Sequence, residues 1–483
     1  MIERKNLING RMVDATYGKT FVTRNPAHLS ETVASYQMSD VADVTSAIAA
    51  AKAAFAGWSA LPLPVRGGFL RKAARILASR VAEVAREFTR EEGKTLPEAT
   101  GETNRAVEIL EYFAGQARYP LSDNYPPETP GNMLYTMREP LGVVGLITPW
   151  NFPIAIPAWK IAPALLYGNT VVLKPASYTP APAYALVEAL TEAGIPNGVI
   201  NLVTGSGALL GTAITNDPDV AAISFTGSEE AGNEIYQHAA LYRKKVQMEL
   251  GGKNAVVVLV DADLDKATEQ AVFGAYWSAG QKCTATSRII VEAPVYDQVV
   301  EKFIAHIRKL KVGDGLNDGM QISPLIDRKA VAHVAELCEE GVAGGAHCLI
   351  GGTMLTEDEY SDGCYFAPSL YELTKPEGPL WEEELFGPVA AIIRAKDAEE
   401  ALELANTTRY GLVASVFTQS LRWAHYFAQG LQTGIVHINR PTVGADVHVP
   451  FGGMKASGSG GREQGTAARE FYTRLKTVYL EWK

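Results

Sequence analysis

The chain is poor in cysteine, with four in 483 residues. Small domains held together by disulfides carry far more cysteine, so a disulfide framework is excluded. No two of the four form a CxxC pair, and the nearest two, Cys338 and Cys348, are ten residues apart. A structural zinc site is therefore not expected. Each cysteine is either a small buried apolar residue or a reactive thiol.

The chain also lacks long apolar runs and an excess of basic charge. Runs such as AVVVLV at 255–260 are much shorter than the ~18 residues of a membrane span. The charged start MIERKNLING is unlike a secretory signal. Lys and Arg number 44 against 54 Asp and Glu, a net charge of −10, which gives no bulk attraction to nucleic acid or anionic membranes. We expect a cytoplasmic protein that binds neither.

What is present is typical of a globular α/β chain. Hydrophobic residues make up 47% and charged residues 20%, and the length predicts roughly two to four domains. Apolar residues at helical spacing predict helices over 41–58 and 66–92, the first capped by Asp40, so the first ~140 residues are expected to be mostly helical. A proline-rich stretch at 120–132 interrupts this pattern.

After residue 140, short β-branched runs alternate with helical segments, which is typical of βαβ units and parallel sheets. A first block has strands predicted over 143–148, 170–174, 199–204 and 221–226, with helices over 157–167, 182–193 and 229–240. A second block has strands predicted over 255–260, 288–291, 390–394 and 413–417, with helices over 263–278, 294–310, 327–343 and 397–406. Parallel sheets bind ligands at the carboxyl ends of their strands, so functional residues are expected in the turns at 148–151, 174–177 and 226–228.

Two segments contain candidate reacting groups. Cys283 lies in GQKCTATSR at 280–288, where a glycine-flanked turn could present a nucleophilic thiol, although for a lone cysteine an ordinary half-buried side chain is favoured. Glu249 lies in MELGGKN at 248–254. In a dry site its pKa would rise and suit a general base, the alternative being a structural carboxylate.

Two further segments could bind anionic groups. In TPWNFP at 148–153, Asn151 could donate hydrogen bonds to an oxyanion, or the segment could simply be a rigid turn. In ISFTGSEE at 223–230, a helix start after Ser228 suits phosphate, although the two glutamates that follow could equally cap the helix. The glycines at 205–211 are spaced GxGxxxG and do not match the dinucleotide fingerprint.

Taken together, these motifs resemble the aldehyde dehydrogenase superfamily over nearly the whole chain. The most specific segments are TPWNFP (148–153), LKPAS (173–177), FTGS (225–228), ELGGKN (249–254), GQKC (280–283), EEELFGPV (382–389) and PFGGMKASGSG (450–460). Within the superfamily, the nearest likeness is to bacterial 2,5-dioxopentanoate (α-ketoglutarate semialdehyde) dehydrogenases, with succinate semialdehyde dehydrogenases as broader neighbours.

The resemblance implies an α/β fold with two Rossmann-like parallel-sheet domains and a small β oligomerisation element. The expected division is a cofactor domain at 1–120 and 141–250, a catalytic domain at 251–469, and the oligomerisation element at 121–140 and 470–483. A homodimer or homotetramer is implied, because a partly exposed strand in the tail would otherwise be an unpaired edge. No metal is implied.

The resemblance also assigns the chemistry. Cys283 would attack the aldehyde carbon, with the Asn151 amide and the Cys283 backbone N–H holding the oxyanion. After hydride passes to nicotinamide, Glu249 would activate the water that hydrolyses the thioester. Relatives that pass the acyl group to coenzyme A lack this base, so a free acid is the expected product. Glu463 and Lys160 are candidates for a secondary base and a relay.

For the cofactor, the matching positions are Trp150, Lys174, Ser177, Gly211, Ser228, Leu250, Glu384 and Phe386. Ser228 would contact the pyrophosphate and Glu384 the nicotinamide ribose. Strictly NAD-using members often carry glutamate at the position of Ser177. A small hydroxyl beside Lys174 leaves room and positive charge for a 2′-phosphate, so we expect NADP to be accepted or preferred, with NAD as the alternative.

For the substrate, the sequence favours a carboxylate-bearing semialdehyde, either 2,5-dioxopentanoate or succinate semialdehyde. Arg440 is a candidate cation for that carboxylate, although a surface or structural role is equally expected. The tunnel positions Phe152, Trp159, Trp277 and Phe451 would also suit an aromatic, vanillin-type aldehyde or a broad-range enzyme.

Other classes of protein remain open. They are a catalytically silent structural relative and an acylating enzyme that uses coenzyme A. Lys282 adjoins Cys283, but neighbours in an extended segment point to opposite faces, so no effect on the thiol is expected. Cys338, Cys348 and Cys364 match no catalytic position.

Overall fold

The computed structural model describes residues 2–482, which form two large sheets, two three-stranded sheets and two two-stranded ones. The strands are β1 (Ile2–Arg4), β2 (Asn6–Ile8), β3 (Arg11–Val13), β4 (Thr20–Asn25), β5 (His28–Gln37), β6 (Asn124–Tyr125), β7 (Asn132–Pro140), β8 (Val143–Ile147), β9 (Thr170–Lys174), β10 (Ile200–Leu202), β11 (Val220–Thr226), β12 (Lys245–Glu249), β13 (Asn254–Val258), β14 (Thr286–Glu292), β15 (His347–Ile350), β16 (Met354–Leu355), β17 (Tyr365–Phe366), β18 (Ser369–Leu373), β19 (Val389–Ala395), β20 (Tyr410–Gly411), β21 (Val413–Phe417), β22 (Ile435–Ile438), β23 (Met454–Lys455), β24 (Gly458–Ser459) and β25 (Thr473–Glu481). The helices are α1 (Val41–Ser59), α2 (Leu63–Ala78), α3 (Val81–Glu92), α4 (Leu96–Gln116), α5 (Ala155–Leu166), α6 (Ala181–Glu192), α7 (Gly207–Asn216), α8 (Glu229–Leu241), α9 (Leu264–Tyr276), α10 (Tyr296–Ile307), α11 (Arg328–Ala343), α12 (Pro379–Glu382), α13 (Ala398–Asn406), α14 (Leu421–Gly430) and α15 (Ala467–Tyr472).

The first large sheet has eight strands in the order β24-β12-β11-β8-β9-β10-β2-β3. Its five central strands are parallel. Every residue of β8 and β9 is buried, as expected for parallel strands covered on both faces. The four predicted strands and three predicted helices of this block are confirmed, with small shifts at their ends.

The second large sheet has seven strands in the order β15-β18-β19-β14-β13-β21-β22. All but the edge strand β15 are paired in parallel. The predicted strands and helices of this block are confirmed here too. One buried cluster of aliphatic and aromatic side chains fills this sheet and its helices, and another fills the first sheet and helices α2–α6.

One of the two three-stranded sheets has the order β25-β7-β6 and joins the proline-rich segment to the tail of the chain. Strand β25 pairs antiparallel with β7 over nine residues, from Thr473 opposite Pro140 to Glu481 opposite Asn132. Its outer edge is unpaired within the described chain.

The expectation that the first ~140 residues are mostly helical is wrong for residues 2–37, which contain the five strands β1–β5. Strands β2 and β3 are joined by Asn9 and Gly10, both with positive φ (52° and 72°). Asn-Gly is the pair that a tight hairpin turn favours, so this dipeptide was the available signal.

The helical region that follows has four helices. Asp40 caps α1 as predicted, accepting from the backbone N–H groups of Ala42 and Asp43. The helix predicted over 66–92 is two helices, α2 and α3, because Ser79 and Arg80 interrupt it. No single helix among residues 2–482 is long and apolar enough to span a membrane, and only the pair α1–α2, bent by 119°, meets the length and composition requirement together.

Candidate active site

Two cavities meet at Cys283. The first, of about 580 Å³, lies at the carboxyl ends of β8, β9 and β11. The second, of about 400 Å³, lies between α4, the start of α5 and the 443–451 segment. Cys283 lines both cavities, so its thiol is placed where ligands in the two would meet.

A sharp reversal after α9 places Cys283 there. Ser278, Ala279 and Gly280 all have positive φ (55°, 51° and 70°), a conformation that is costly for residues with a Cβ. A Cβ on Gly280 would lie 2.1 Å from the carbonyl oxygen of Gly387, so only glycine fits. Asn254 then holds the Cys283 carbonyl through its Nδ2 at 2.8 Å.

The surroundings of the Cys283 thiol disfavour its deprotonation. Burial raises its pKa well above the usual range, and the negative charges of Glu384 and Glu249 act in the same direction. The Cys283 backbone N–H faces its own sulfur and opposes this shift. The thiolate must therefore form as the reaction proceeds.

Asn151 is buried beside the cysteine turn. Its Nδ2 donates to the carbonyl of Gln281 at 3.0 Å, which uses one of the two amide hydrogens. Its own backbone carbonyl accepts from Lys94 Nζ at 2.8 Å, and Lys94 in turn pairs with Glu102 at 2.7 Å. The second amide hydrogen is left as a donor for an oxygen near Cys283.

Glu249 ends β12 and is buried, with Oε2 lacking a hydrogen-bond partner among residues 2–482. Oε2 therefore has capacity to accept a proton. A gap of about 20 Å³ is lined by Glu249, Cys283 and Glu463, among others. That volume is enough for one water molecule. Burial, then the charge of Glu463, raises the pKa of Glu249 well above its ordinary value, as expected for a general base in a dry site.

A buried polar network that includes Glu463 lies next to Glu249. Lys160 Nζ donates to Glu463 and, at 2.8 Å, to the hydroxyl of Ser224. Ser224 donates to Gln247 Oε1 at 3.0 Å. Glu463 is therefore paired with the Lys160 ammonium and also lines the gap that Glu249 lines.

The first cavity gathers the eight positions that sequence comparison assigned to the cofactor. They are Trp150, Lys174, Ser177, Gly211, Ser228, Leu250, Glu384 and Phe386. Ser228 caps α8 as the predicted strand–turn–helix requires, and the weak glycine motif at 205–211 is the start of α7. Both helices begin at the cavity, where their free N–H groups suit phosphate.

The charges of this cavity differ at its two ends. Lys174 Nζ has no hydrogen-bond partner in the described chain, and burial lowers its pKa to about 8. Glu384 accepts from the backbone N–H of Gly252 at 2.9 Å, and burial raises its pKa to about 7. A Cβ on Gly251 would lie 2.2 Å from Glu384 Oε2, so glycine is needed there. An unpartnered cation and helix N-termini offer donors to phosphate groups, and the Glu384 carboxylate offers an acceptor for sugar hydroxyls, as a dinucleotide requires.

The second cavity is lined by Phe152, Trp159 and Phe451, three of the predicted tunnel residues. Trp277 is not among its lining residues. Phe273, one turn earlier on α9, lines the cavity instead, and Trp277 packs on it with ring centroids 4.9 Å apart.

Arg440 is exposed and does not line the cavity either. It precedes the segment 443–445 that does. Sequence reasoning also missed the charged residues of the cavity, which are Lys94, Glu98, Glu102, Arg105 and Lys282. The Thr-x-x-Glu pattern at 95–98, a capping box at the start of α4, was a signal for the helix that carries Glu98, Glu102 and Arg105.

The expectation that Lys282 and Cys283 face opposite ways is wrong. The segment is a turn rather than a strand, and both residues line the second cavity. The alternation of side chains applies only to extended backbone.

The profile of the aldehyde dehydrogenase family matches residues 12–478. The chain belongs to the aldehyde dehydrogenase family. The "Alpha-ketoglutaric semialdehyde dehydrogenase" of Bacillus subtilis is 42% identical over 476 residues, covering 99% of this chain and 98% of that protein. The "2,5-dioxopentanoate dehydrogenase" of Saccharolobus solfataricus is 39% identical, covering 96% and 97%.

Solved aldehyde dehydrogenases have the same fold. An NAD-dependent aldehyde dehydrogenase from Sinorhizobium meliloti superimposes with a TM-score of 0.97 at 35% identity, over 99% of this chain and 95% of that one. An NADP-dependent enzyme from E. coli gives 0.96 at 37% identity, over 100% and 98%. The predicted α/β architecture with parallel-sheet domains is therefore confirmed.

Proposed function

We propose that this aldehyde dehydrogenase oxidises a carboxylate-bearing semialdehyde, of the 2,5-dioxopentanoate or succinate semialdehyde type, to the free acid with NAD(P)⁺. The observation that carries the reaction is the gap lined by both Cys283 and Glu249, which at about 20 Å³ is large enough for one water molecule. The substrate class is supported by the two curated relatives above, both named for a semialdehyde.

Cys283, Asn151 and Glu249 each carry out one part of the reaction. The Cys283 sulfur forms a bond to the aldehyde carbon, and the free Asn151 amide hydrogen stabilises the negative oxygen that results. A bound nicotinamide would supply the acceptor for the hydride lost from the same carbon, and Cys283 would then carry the acyl group as a thioester. Glu249 then removes a proton from the water in the gap, the hydroxide adds to the acyl carbon, and the carbon–sulfur bond breaks.

Acceptance of NADP is supported by the Lys174 end of the first cavity. Lys174 carries no acidic partner, and Ser177, whose hydroxyl donates to the Gly205 carbonyl at 2.6 Å, brings no negative charge. A 2′-phosphate placed beside Lys174 and Ser177 meets a cation and an uncharged hydroxyl. Both NAD- and NADP-dependent enzymes occur among the solved relatives.

An aromatic aldehyde is the second candidate substrate. Phe152, Trp159, Phe273 and Phe451 give the second cavity an aromatic wall, and Trp159 lies 5.8 Å from Phe451 between ring centroids. A vanillin-type ring would stack on such a wall.

Self-association as a homodimer or homotetramer is also part of the proposal. The outer edge of the nine-residue β25 is unpaired within the described chain. The strand carries exposed Leu475 and Tyr479, and exposed Trp482 follows it. Another subunit that covers this edge would remove an aggregation hazard.

The decisive experiment is a panel of semialdehydes, aliphatic aldehydes and aromatic aldehydes, assayed by NAD(P)H absorbance with each cofactor. We expect the highest kcat/KM with a four- or five-carbon semialdehyde acid and no dependence on coenzyme A. A strong preference for neutral aromatic aldehydes would overturn the substrate class. Turnover that persists in Cys283→Ala would overturn the mechanism, and turnover that requires coenzyme A would overturn the free acid as product. An enzyme that oxidises none of the panel while retaining cofactor binding would be a silent relative.

A further inference from the structure

The substrate cavity contains more cationic donors than its own carboxylates use. Three cations and two carboxylates line it, namely Lys94, Arg105, Lys282, Glu98 and Glu102. The hydrogen bonds and ion pairs that these groups already make decide which charges remain for a substrate.

Lys94 and Glu102 are committed to each other and to the backbone. Lys94 Nζ donates to Glu102 Oε2 and to the Asn151 carbonyl. Glu102 Oε1 accepts from the N–H groups of Ile154 and Ala155 at the start of α5. This pair is 2–3% exposed and fixes the site rather than binding a ligand.

Glu98 is committed as well. Its Oε2 accepts from the backbone N–H and the hydroxyl of Thr95, at 3.2 and 2.8 Å. Its Oε1 accepts from the Ser278 hydroxyl at 2.9 Å. Both carboxylate oxygens of Glu98 therefore already have donors.

Lys282 is left without a hydrogen bond. Its Nζ forms a loose ion pair with Glu98, 4.0 Å from Oε1 and so beyond hydrogen-bond distance, and it lies 5.7 Å from the centroid of the Phe273 ring. No hydrogen-bond acceptor reaches it within residues 2–482. Its side chain is 11% exposed. A nearly buried ammonium without an acceptor is costly unless a ligand supplies one.

Arg105, on the next turn of α4 after Glu102, is the second open cation. One guanidinium nitrogen pairs with the exposed Glu108 at 3.1 Å, a contact that contributes little in water. The remaining N–H groups have no acceptor in the described chain, and the side chain is 34% exposed. A guanidinium fork with open donors matches a carboxylate.

We propose that Lys282 and Arg105 bind the distal carboxylate of the semialdehyde while its aldehyde carbon lies at Cys283. The inference rests on the proposed function, whose substrate class it explains. Lys282 precedes the nucleophile in the same turn, and both it and Arg105 line the cavity that Cys283 lines. The exposed Arg440 has no part in this recognition.

The test is the ratio of kcat/KM for 2,5-dioxopentanoate to that for pentanal, a neutral aldehyde of the same length. We expect the ratio to fall at least about tenfold in Lys282→Met and in Arg105→Met, since each loses a charge-assisted hydrogen bond. Lys282→Arg keeps the charge and should retain most of the ratio. Lys266→Met and Arg75→Met, which remove exposed cations outside the cavity, are the matched controls. A ratio unchanged in both test variants would overturn the proposal.

Binding of glutarate, a five-carbon dicarboxylate, gives a second readout independent of turnover. By calorimetry, its Kd should weaken at least about tenfold in each test variant and not in the controls. If wild-type enzyme prefers pentanal, the proposed substrate class fails, and glutarate alone decides the inference. Weakened binding in the variants then supports an anion site at Lys282 and Arg105, and unchanged binding refutes it.

Discussion

Glu249 and Cys283 face each other across a gap of about 20 Å³, which is large enough for one water molecule. Glu249 Oε2 is buried and has no hydrogen-bond partner in the described chain. The proposed nucleophile and the proposed base thus line a space that is large enough for a hydrolytic water. This geometry favours release of a free acid over transfer of the acyl group to a larger thiol.

Replacing Glu249 by Gln should separate the two halves of the reaction. The shape of the gap is kept while the base is lost, so thioester formation continues and hydrolysis slows by about 10²- to 10⁴-fold. Stopped-flow absorbance should record a burst of NAD(P)H near one equivalent per site, followed by a slow steady state. Mass spectrometry should find the acyl adduct on Cys283.

The matched control for that variant is Glu336→Gln, which changes an exposed carboxylate on α11. It should leave the burst and the steady state as in the wild type. A burst in Glu249→Gln that slows as much as the steady state would place Glu249 in thiol activation instead.

Lys174 should make NADP binding depend on pH. Its pKa is lowered to about 8 by burial, so the ammonium that attracts a 2′-phosphate is present below that pH and lost above it. We expect KM for NADP to rise about tenfold between pH 7 and pH 9, while KM for NAD changes little. Steady-state kinetics with both cofactors over this range measures the difference.

Lys174→Arg is the control for that interpretation, because arginine stays charged throughout the range. Its KM for NADP should lose the pH dependence. Parallel pH profiles for NAD and NADP in the wild type would contradict the assignment of Lys174 to the phosphate.

Thiol reagents should distinguish the four cysteines. Cys283 and Cys348 are partly exposed, whereas Cys338 and Cys364 are buried, with exposed fractions of 2% and 1%. Because burial raises the pKa of Cys283 above its usual range, its labelling by iodoacetamide should accelerate about tenfold per pH unit between pH 7 and pH 9. Peptide mass spectrometry should follow label at Cys283 in step with loss of activity.

Cys348→Ser should leave the rate of inactivation unchanged in the same experiment. Inactivation that follows labelling of Cys338 or Cys364 would contradict the accessibility seen in the fold.

The positions predicted to bind the cofactor lie together because several of them are in short turns at the ends of strands. Lys174 ends β9 and Ser228 follows β11, and parallel strands bring their carboxyl ends to one edge. All eight predicted positions accordingly line one cavity.

The residues that line the second cavity were harder to predict from the sequence. Arg105 belongs to α4, which is distant in sequence from the cysteine turn and joins it only through tertiary packing. Phe273 rather than Trp277 lines the cavity because of the side-chain directions at the end of α9. The sequence alone does not show which of two aromatic residues one helical turn apart faces the cavity. The orientation of Lys282 depended on a backbone turn whose positive-φ residues include Ser278 and Ala279, which residue type does not predict.

The exposed face of the tail strand should control self-association. Leu475 and Tyr479 on β25 are 55% and 77% exposed, so Leu475→Glu and Tyr479→Glu would force a charge into any interface that covers them. We expect each variant to shift the protein toward smaller species in analytical ultracentrifugation and to lower its melting temperature. Leu421→Glu, which alters a 79% exposed leucine on α14, should change neither. An unaltered sedimentation profile in both β25 variants would mean that this strand is not the contact between subunits.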